Sequence, residues 1–303
     1  MQQTFYSNGK LLITGEYLIL DGAKGLALPT KMGQNLIVED TSTGAIHWKS
    51  YDADGSVWFE DTISFEEIQN NNASPESVKA TLIKILQVAN AMNPNVITNS
   101  GGLDITTQLS FPRNWGLGTS STLINNIAQW FQINAFELLH KSFGGSGYDI
   151  ACAQNNNPIT YSIANRKPKV EQVVFKPEFS QNLYFVYLNQ KRNSKSAIAE
   201  YHSNKTSQLP SYIATVNELT QDTITAATLE EFAQLLHQHE TVLSALLKTE
   251  TVKNTLFPDF DGTIKSLGAW GGDFVLAVSK ENPKPYFVAK GYETVIPYGE
   301  MIL

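Results

Sequence analysis

The chain has 303 residues, 42 % of them apolar and 17 % charged, with a formal net charge of −7. That length holds one large or two ordinary domains with a full core, the composition lies far from the disordered range, and the acidic balance leaves no electrostatic footprint for nucleic acid or an anionic membrane. The single cysteine, Cys152, excludes an intramolecular disulfide and a cysteine-based zinc site. The opening Met1-Gln2-Gln3-Thr4-Phe5 carries neither a basic n-region nor an apolar h-region. No window approaches about 18 uninterrupted apolar residues. A cytoplasmic protein with no membrane and no nucleic-acid partner is therefore expected.

Along the chain, Leu11-Leu12-Ile13 and Tyr17-Leu18-Ile19-Leu20 read as short strands around a Gly15-Glu16 break, with Asp21-Gly22 as a turn. Residues 35–39, 45–49 and 57–59 are short segments bounded by Gly, Asp and Ser, which predicts an antiparallel meander. Ser74-Pro75-Glu76-Ser77 announces the first long helix, with Val78, Leu82, Ile85, Leu86 and Ala89 at helical spacing. Residues 102–110 alternate as a strand. A Gly-rich turn then leads to a helix over about 120–133, and a shorter helix covers 135–141. Gly144-Gly145-Ser146-Gly147 breaks that helix before another starts near Tyr148. Residues 183–188 read as a strand, 194–202 and 211–248 as helical, and 274–279 and 285–289 as strands. The charged, proline-bearing stretch 167–178 is the expected domain boundary, dividing the chain into 1–178 and 179–303.

Four segments carry chemistry. Trp115-Gly116-Leu117-Gly118-Thr119-Ser120-Ser121 lies between a strand and a helix. Its glycines permit close backbone approach, the helix start offers free N–H groups and a positive dipole end to an anion, and three hydroxyls follow. No Gly-Lys-Ser/Thr closes it, so it is not a Walker A loop. The same pattern also occurs in turns that bind nothing. In Gly145-Ser146-Gly147-Tyr148-Asp149-Ile150-Ala151 an aspartate follows a glycine turn, either as a helix-end carboxylate or as a general base aimed at a substrate hydroxyl. Gly268-Ala269-Trp270-Gly271-Gly272-Asp273 opens an apolar strand, as a tight bend or as a close approach to a ligand. In Gly9-Lys10-Leu11-Leu12-Ile13-Thr14-Gly15-Glu16-Tyr17 the lysine enters an apolar strand and must aim its ammonium somewhere, at solvent or at a site.

In this order and spacing the four segments resemble the GHMP kinase superfamily, across nearly the whole chain. The details lean toward phosphomevalonate kinases: Gly15-Glu16-Tyr17 is similar to their Gly-Glu-Tyr, Arg113-Asn114-Trp115-Gly116-Leu117-Gly118 to their approach to the phosphate loop, and Gly145-Ser146-Gly147-Tyr148-Asp149 to their Gly-Ser-Gly-Phe-Asp. Gly271-Gly272-Asp273 matches the tail of their third motif, and Asn193-Ser194-Lys195 is close to their Ser-Thr-Lys turn. Trp270 departs by replacing the middle glycine of that third motif, where an indole would narrow the phosphate pocket or cover the nucleotide. Mevalonate kinases usually carry a Mg²⁺-binding glutamate that has no obvious match here.

The resemblance implies an α+β fold of two domains, a ribosomal-protein-S5-like N-terminal domain and a ferredoxin-like C-terminal α/β sandwich. It implies ATP and Mg²⁺ as cofactors, with phosphates over Gly116, Leu117, Gly118, Thr119, Ser120 and Ser121, and Ser120 as the metal ligand. Asp149 and Lys10 are the implied catalytic pair. Tyr17, Ser146, Arg192, Ser194, Lys195 and Ala269 are the implied acceptor contacts, with Lys191 as a further cation. The expected acceptor is 5-phosphomevalonate, and the expected assembly a monomer or homodimer. Mevalonate kinase, a related decarboxylase and a catalytically silent binding protein of the same fold are the rival readings. Cys152 reads as core, and His202, His237 and His239 as surface or satisfied histidines.

Overall fold

Leu103, Ile105, Thr107 and Leu109 are buried while the residues between them are more open, the period of two that a half-covered strand requires. The computed structural model describes residues 2–69, 77–98, 100–191, 194–203 and 207–303, without the side chains of Thr98, Ser194 and Lys195. They form two compact units that interleave along the chain. The first comprises Met1–Gly9, Met32–Arg113 and Leu117–Gln154; the second comprises Lys10–Lys31, Asn114–Gly116 and Asn155–Leu303.

The first unit contains the start of β1 (Gln2–Leu12), the second half of β2 (Gly25–Asp40), β3 (Ala45–Tyr51), β4 (Val57–Ser64) and β5 (Leu103–Leu109). Its helices are α1 (Phe65–Gln69), α2 (Val78–Met92), α3 (Asn95–Thr98), α4 (Thr119–Phe131), α5 (Ala135–Ser142) and α6 (Tyr148–Ala153). The expected meander is not what forms. β3 and β4 make an antiparallel hairpin, but β5 lies between β3 and β2, parallel to β3 and antiparallel to β2. The chain returns to β5 through α2, and such a helical crossover is what allows parallel pairing. Leu36, Trp48 and Ile63 of the sheet pack with Leu86 of α2, Ile124 of α4 and Leu138 of α5 in one core. Ser77 caps α2 by accepting the Ala80 N–H at 3.0 Å; the expected Ser74-Pro75 start lies outside the described residues.

In the second unit the first half of β2 pairs with β6 (Ile159–Ala164), which pairs with β7 (Lys167–Gln172), both antiparallel. A four-stranded antiparallel sheet runs in the order β11 (Val295–Pro297), β8 (Leu183–Tyr187), β10 (Phe274–Val278), β9 (Thr263–Leu267). The helices are α7 (Ser194–Ser203), α8 (Leu209–Thr225), α9 (Leu229–Leu247), α10 (Val252–Leu256), α11 (Lys284–Ala289) and α12 (Tyr298–Met301). The long helical stretch expected over 211–248 divides in two, because Thr228 starts a new helix by accepting the Glu231 N–H at 3.2 Å. Residues 285–289, expected as a strand, belong to a helix instead, and Pro285 sits in its first turn where no backbone donor is needed. Residues 17–20 likewise form no strand. Leu18–Asp21 is a single 3₁₀ turn closed by Gly22 at φ 93°. Among the described residues no helix is long and apolar enough to cross a membrane.

Candidate active site

In the first unit, Gly118 precedes α4 at φ 97° and provides no side-chain cap, so no side chain of that residue competes for the N–H groups of Thr119, Ser120 and Ser121. A helix of 13 residues opening in this way is a fitting cradle for an anion. Leu117 is buried beneath it and Ser120 is exposed. The helix is anchored by a buried polar network that apolar periodicity does not reveal. Thr122 Oγ1 donates to Gln34 Oε1 at 2.7 Å, Ser7 Oγ donates to Asn126 Oδ1 at 2.7 Å, and Asn125 Nδ2 donates to Ser7 Oγ at 2.8 Å. Asn126 Nδ2 completes it on the Gln34 carbonyl at 2.9 Å. The side chains Asn125 and Asn126, adjacent and flanked by Leu123, Ile124, Ile127 and Ala128, were the available signal. In the same unit Gly144, Gly145 and Gly147 all take positive φ and lead into α6, with Ser146 and Asp149 both half-buried.

In the second unit, Lys10 Nζ donates to the Gly116 carbonyl at 2.8 Å. Gly116, at φ 66°, lies so close to the Asp273 carboxylate that a Cβ there would sit 1.9 Å from Oδ2. Lys10, Trp115, Gly116, Gly268 and Asp273 line one narrow cavity. Trp115 packs edge-on against Phe274 at 5.4 Å and tilted against Tyr187 at 6.2 Å. Burial, and then the charge of Asp273, push the Tyr187 phenol up, so it stays neutral. The segment before Lys191 runs beside the third glycine loop: Leu188 N–H donates to the Asp273 carbonyl at 2.9 Å, and Gln190 Nε2 donates to the Gly271 carbonyl at 2.6 Å.

Trp270 does not cover this cavity. It is 4 % exposed, sits in a core cluster with Leu18, Val216 and Leu243, and donates its indole N–H to the Glu250 carbonyl at 3.0 Å. The backbone N–H of Trp270 donates to Tyr17 Oη at 2.8 Å. Tyr17 itself has φ 62° and ψ −51°, and Leu18 N–H donates to the Glu16 carbonyl at 2.7 Å. That geometry is a γ-turn of the strained hand, which costs a residue with a side chain about 1–3 kcal/mol.

Thus Lys10, Tyr17, Gly116 and Ala269 fall in the second unit, and Leu117, Gly118, Thr119, Ser120, Ser121, Ser146 and Asp149 in the first. Arg192 lies outside the described residues; Ser194 and Lys195 begin α7, their side chains outside the description. Cys152 is buried, His202 and His237 are exposed, and His239 is buried with its Nε2 accepting the Gly15 N–H at 3.0 Å.

That histidine borders a buried ion cluster. Lys265 Nζ donates to Glu16 Oε1 at 2.5 Å and lies 3.1 Å from Glu240 Oε1, all three groups almost wholly inaccessible. Glu240 also accepts from the Ser266 N–H at 3.1 Å and hydroxyl at 3.2 Å. Two carboxylates against one ammonium leave a surplus negative charge in a desolvated place. Burial raises Glu16 to about 7 against the pull of Lys265, raises Glu240 as well, and holds His239 neutral, well below its usual range.

Glu16 therefore keeps a proton in the fold that it lacks when unfolded. The stability it confers is full below pH about 4.5 and is lost as pH rises through about 7, worth about 3 kcal/mol. His239 acts oppositely, its contribution being present above pH about 6.5 and lost on acidification. Glu16→Gln removes only the first. Urea unfolding at a series of pH values is expected to show wild type losing about 3 kcal/mol relative to Glu16→Gln between pH 4.5 and 7. A difference that does not change with pH would mean that Glu16 is ionised throughout.

The fold defined by these two units is that of the GHMP-type small-molecule kinases. The chain is similar to the mevalonate kinase of Methanococcus jannaschii at a TM-score of 0.70, with 16 % identity over 97 % of this chain and 96 % of that one. The phosphomevalonate kinase of Streptococcus pneumoniae, in complex with phosphomevalonate and AMPPNP, gives 0.71 with 15 % identity over 97 % and 99 %. The Lactococcus lactis galactokinase complexed with galactose gives 0.67 with 13 % identity over 95 % and 88 %. No family model matches the sequence, and no curated protein matches it.

Proposed function

We propose that the chain is an ATP-dependent small-molecule kinase that phosphorylates 5-phosphomevalonate to 5-diphosphomevalonate. The observation that carries the kinase reading is the α4 start, a 13-residue helix entered through Gly118 with no side-chain cap, whose first-turn N–H groups suit the phosphates of ATP. Gly118, Thr119, Ser120 and Ser121 would hold those phosphates. Among the described residues no group of three or more His, Cys, Asp or Glu is arranged around a metal. Mg²⁺ keeps several waters and takes oxygens from substrate phosphates, and the Ser120 hydroxyl would be its protein ligand. When bound, the ion neutralises charge on the phosphates.

Lys10 holds the Gly116 carbonyl and would set the loop while neutralising charge on the transferred phosphoryl. Asp149 would orient the acceptor oxygen, and take its proton where that oxygen is a hydroxyl. Positioning and fixed charge are the main resources of phosphoryl transfer, so this small set suffices. An acceptor carrying carboxylate and phosphate needs cations. Lys191, Arg192 and Lys195 would supply them, with Ser194, Ser146 and Ala269 as the further expected acceptor contacts, and the contact of Gln190 with Gly271 supports a substrate turn beside the third glycine loop. Of the two features behind the silent-binder reading, Trp270 no longer supports it, because its indole is packed in the core; the other is the missing glutamate.

ADP release from Mg-ATP, offered 5-phosphomevalonate and mevalonate in separate reactions, tests this. Turnover on 5-phosphomevalonate alone is expected. Turnover on mevalonate alone would move the acceptor and leave the kinase chemistry, whereas silence on both would remove this acceptor class.

A further inference from the structure

Three consecutive residues each reach a different part of the second unit. Gly15 N–H donates to His239 on α9, Glu16 accepts from Lys265 on β9, and Tyr17 Oη accepts the backbone N–H of Trp270 in the middle of the 268–273 loop. The backbone at Tyr17 is bent into the strained γ-turn, a conformation that persists only where the surroundings over-determine it. The surroundings here are extensive. Tyr17 is 8 % exposed and its ring lies 5.6 Å from that of Tyr201, whose hydroxyl donates to Asp21. Trp270 is fixed a second time through its indole on Glu250. The loop is thus pinned at its midpoint, while its two ends, Gly268 and Asp273, border the cavity that holds Lys10 and Gly116.

We propose that the 15–17 turn is a built-in clamp and that Tyr17 is a positioning residue, setting the 268–273 loop and through Asp273 the placement of Gly116 and Lys10. The kinetic half of this proposal rests on the kinase reading above; the structural half does not. It assigns Tyr17 a different task from direct acceptor contact, because the residue is buried and its hydroxyl oxygen accepts from a backbone donor of the loop.

The test uses the full chain with Tyr17→Phe, which keeps the ring and its packing and removes only the oxygen, alongside Trp270→Phe, which removes the indole anchor. In Tyr17→Phe, hydrogen exchange at the Trp270 amide is expected to accelerate about 10-fold or more while β9 amides keep wild-type protection. With Mg-ATP and the acceptor that wild type turns over, kcat should fall about 10–100-fold with the KM for ATP within about threefold. Trp270→Phe should lower kcat similarly, and the double variant should be no worse than the poorer single, since both release the same loop.

Unchanged exchange at Trp270 in Tyr17→Phe overturns the clamp. Faster exchange with unchanged kcat overturns its role in positioning. A raised acceptor KM with normal exchange, and no effect of Trp270→Phe, would return Tyr17 to direct acceptor binding. Should wild type turn over no acceptor, the kinase reading fails by itself, and the exchange measurement still decides the clamp.

Discussion

Replacing Asp149 by alanine is expected to lower kcat by about 10²–10⁴-fold while ATP binding, measured by calorimetry, stays within about threefold. Asp149 stands in the first turn of α6, delivered there by a glycine turn with positive φ at Gly144, Gly145 and Gly147. The nucleotide phosphates are assigned to the N–H groups of α4, on a different helix start, so the nucleotide should still bind. The size of the loss also reports on the acceptor. A hydroxyl acceptor must lose a proton, so an asparagine at this position should be as poor as alanine. A phosphate acceptor has its second pKa near 6 and presents an oxygen already deprotonated at neutral pH. With 5-phosphomevalonate, Asp149→Asn should therefore recover part of the rate through orientation alone, and the pH profile of kcat should lack the limb of a titrating base. A kcat within about threefold of wild type for Asp149→Ala would remove Asp149 from the mechanism.

The glycine-led helix starts at Gly118 and Gly147 were legible because their chemistry is local: a glycine that must take positive φ, then a helical period. So were α5, β5 and β8, whose expected bounds fall within one residue of those formed. The errors came where tertiary context decides. Residues 17–20 carry strand-like residues, yet they are bent into a γ-turn and a 3₁₀ turn because Glu16 and Tyr17 are held by Lys265 and the Trp270 N–H. The order β3-β5-β2 depends on a crossover through α2, which adjacent segments in a sequence do not display.

The site shows the same division. Lys10 was singled out because a lysine in an apolar strand needs a destination, and it has one in the Gly116 carbonyl. Lys265 raises the same question in β9 and passed unnoticed, since its answer, Glu16 and Glu240, lies 249 and 25 residues away. The direction of the Trp270 indole could not be read from the motif at all. A bulky residue in a glycine loop reads as an obstruction, but the loop needs only its backbone near the cavity, and the side chain is free to become core.

Gly116→Ala is expected to damage both stability and activity. An alanine there must hold φ 66°, a left-handed conformation that costs a non-glycine residue about 1–2 kcal/mol. Its Cβ would also stand 1.9 Å from Oδ2, 2.3 Å from Cγ and 2.9 Å from Cβ of Asp273, so the carboxylate must swing away or Gly116 must retreat. A retreat of Gly116 disturbs the Lys10 contact, because the lysine is bonded to the carbonyl of that same glycine. Overpacking of this kind adds about 1–3 kcal/mol. Together these terms predict a loss of about 2–5 kcal/mol in urea unfolding. Under the kinase reading kcat/KM should fall by more than about 100-fold, the usual consequence of displacing a positioning group by an ångström.

The clash and the strain can be separated. Asp273→Ala removes the obstructing carboxylate and leaves φ untouched, so Gly116→Ala combined with Asp273→Ala should recover about 1–3 kcal/mol of stability relative to Gly116→Ala corrected for Asp273→Ala alone. Strict additivity of the two substitutions would show that Gly116 and Asp273 do not share this space, and that the first and third glycine segments are not in contact where Lys10 enters.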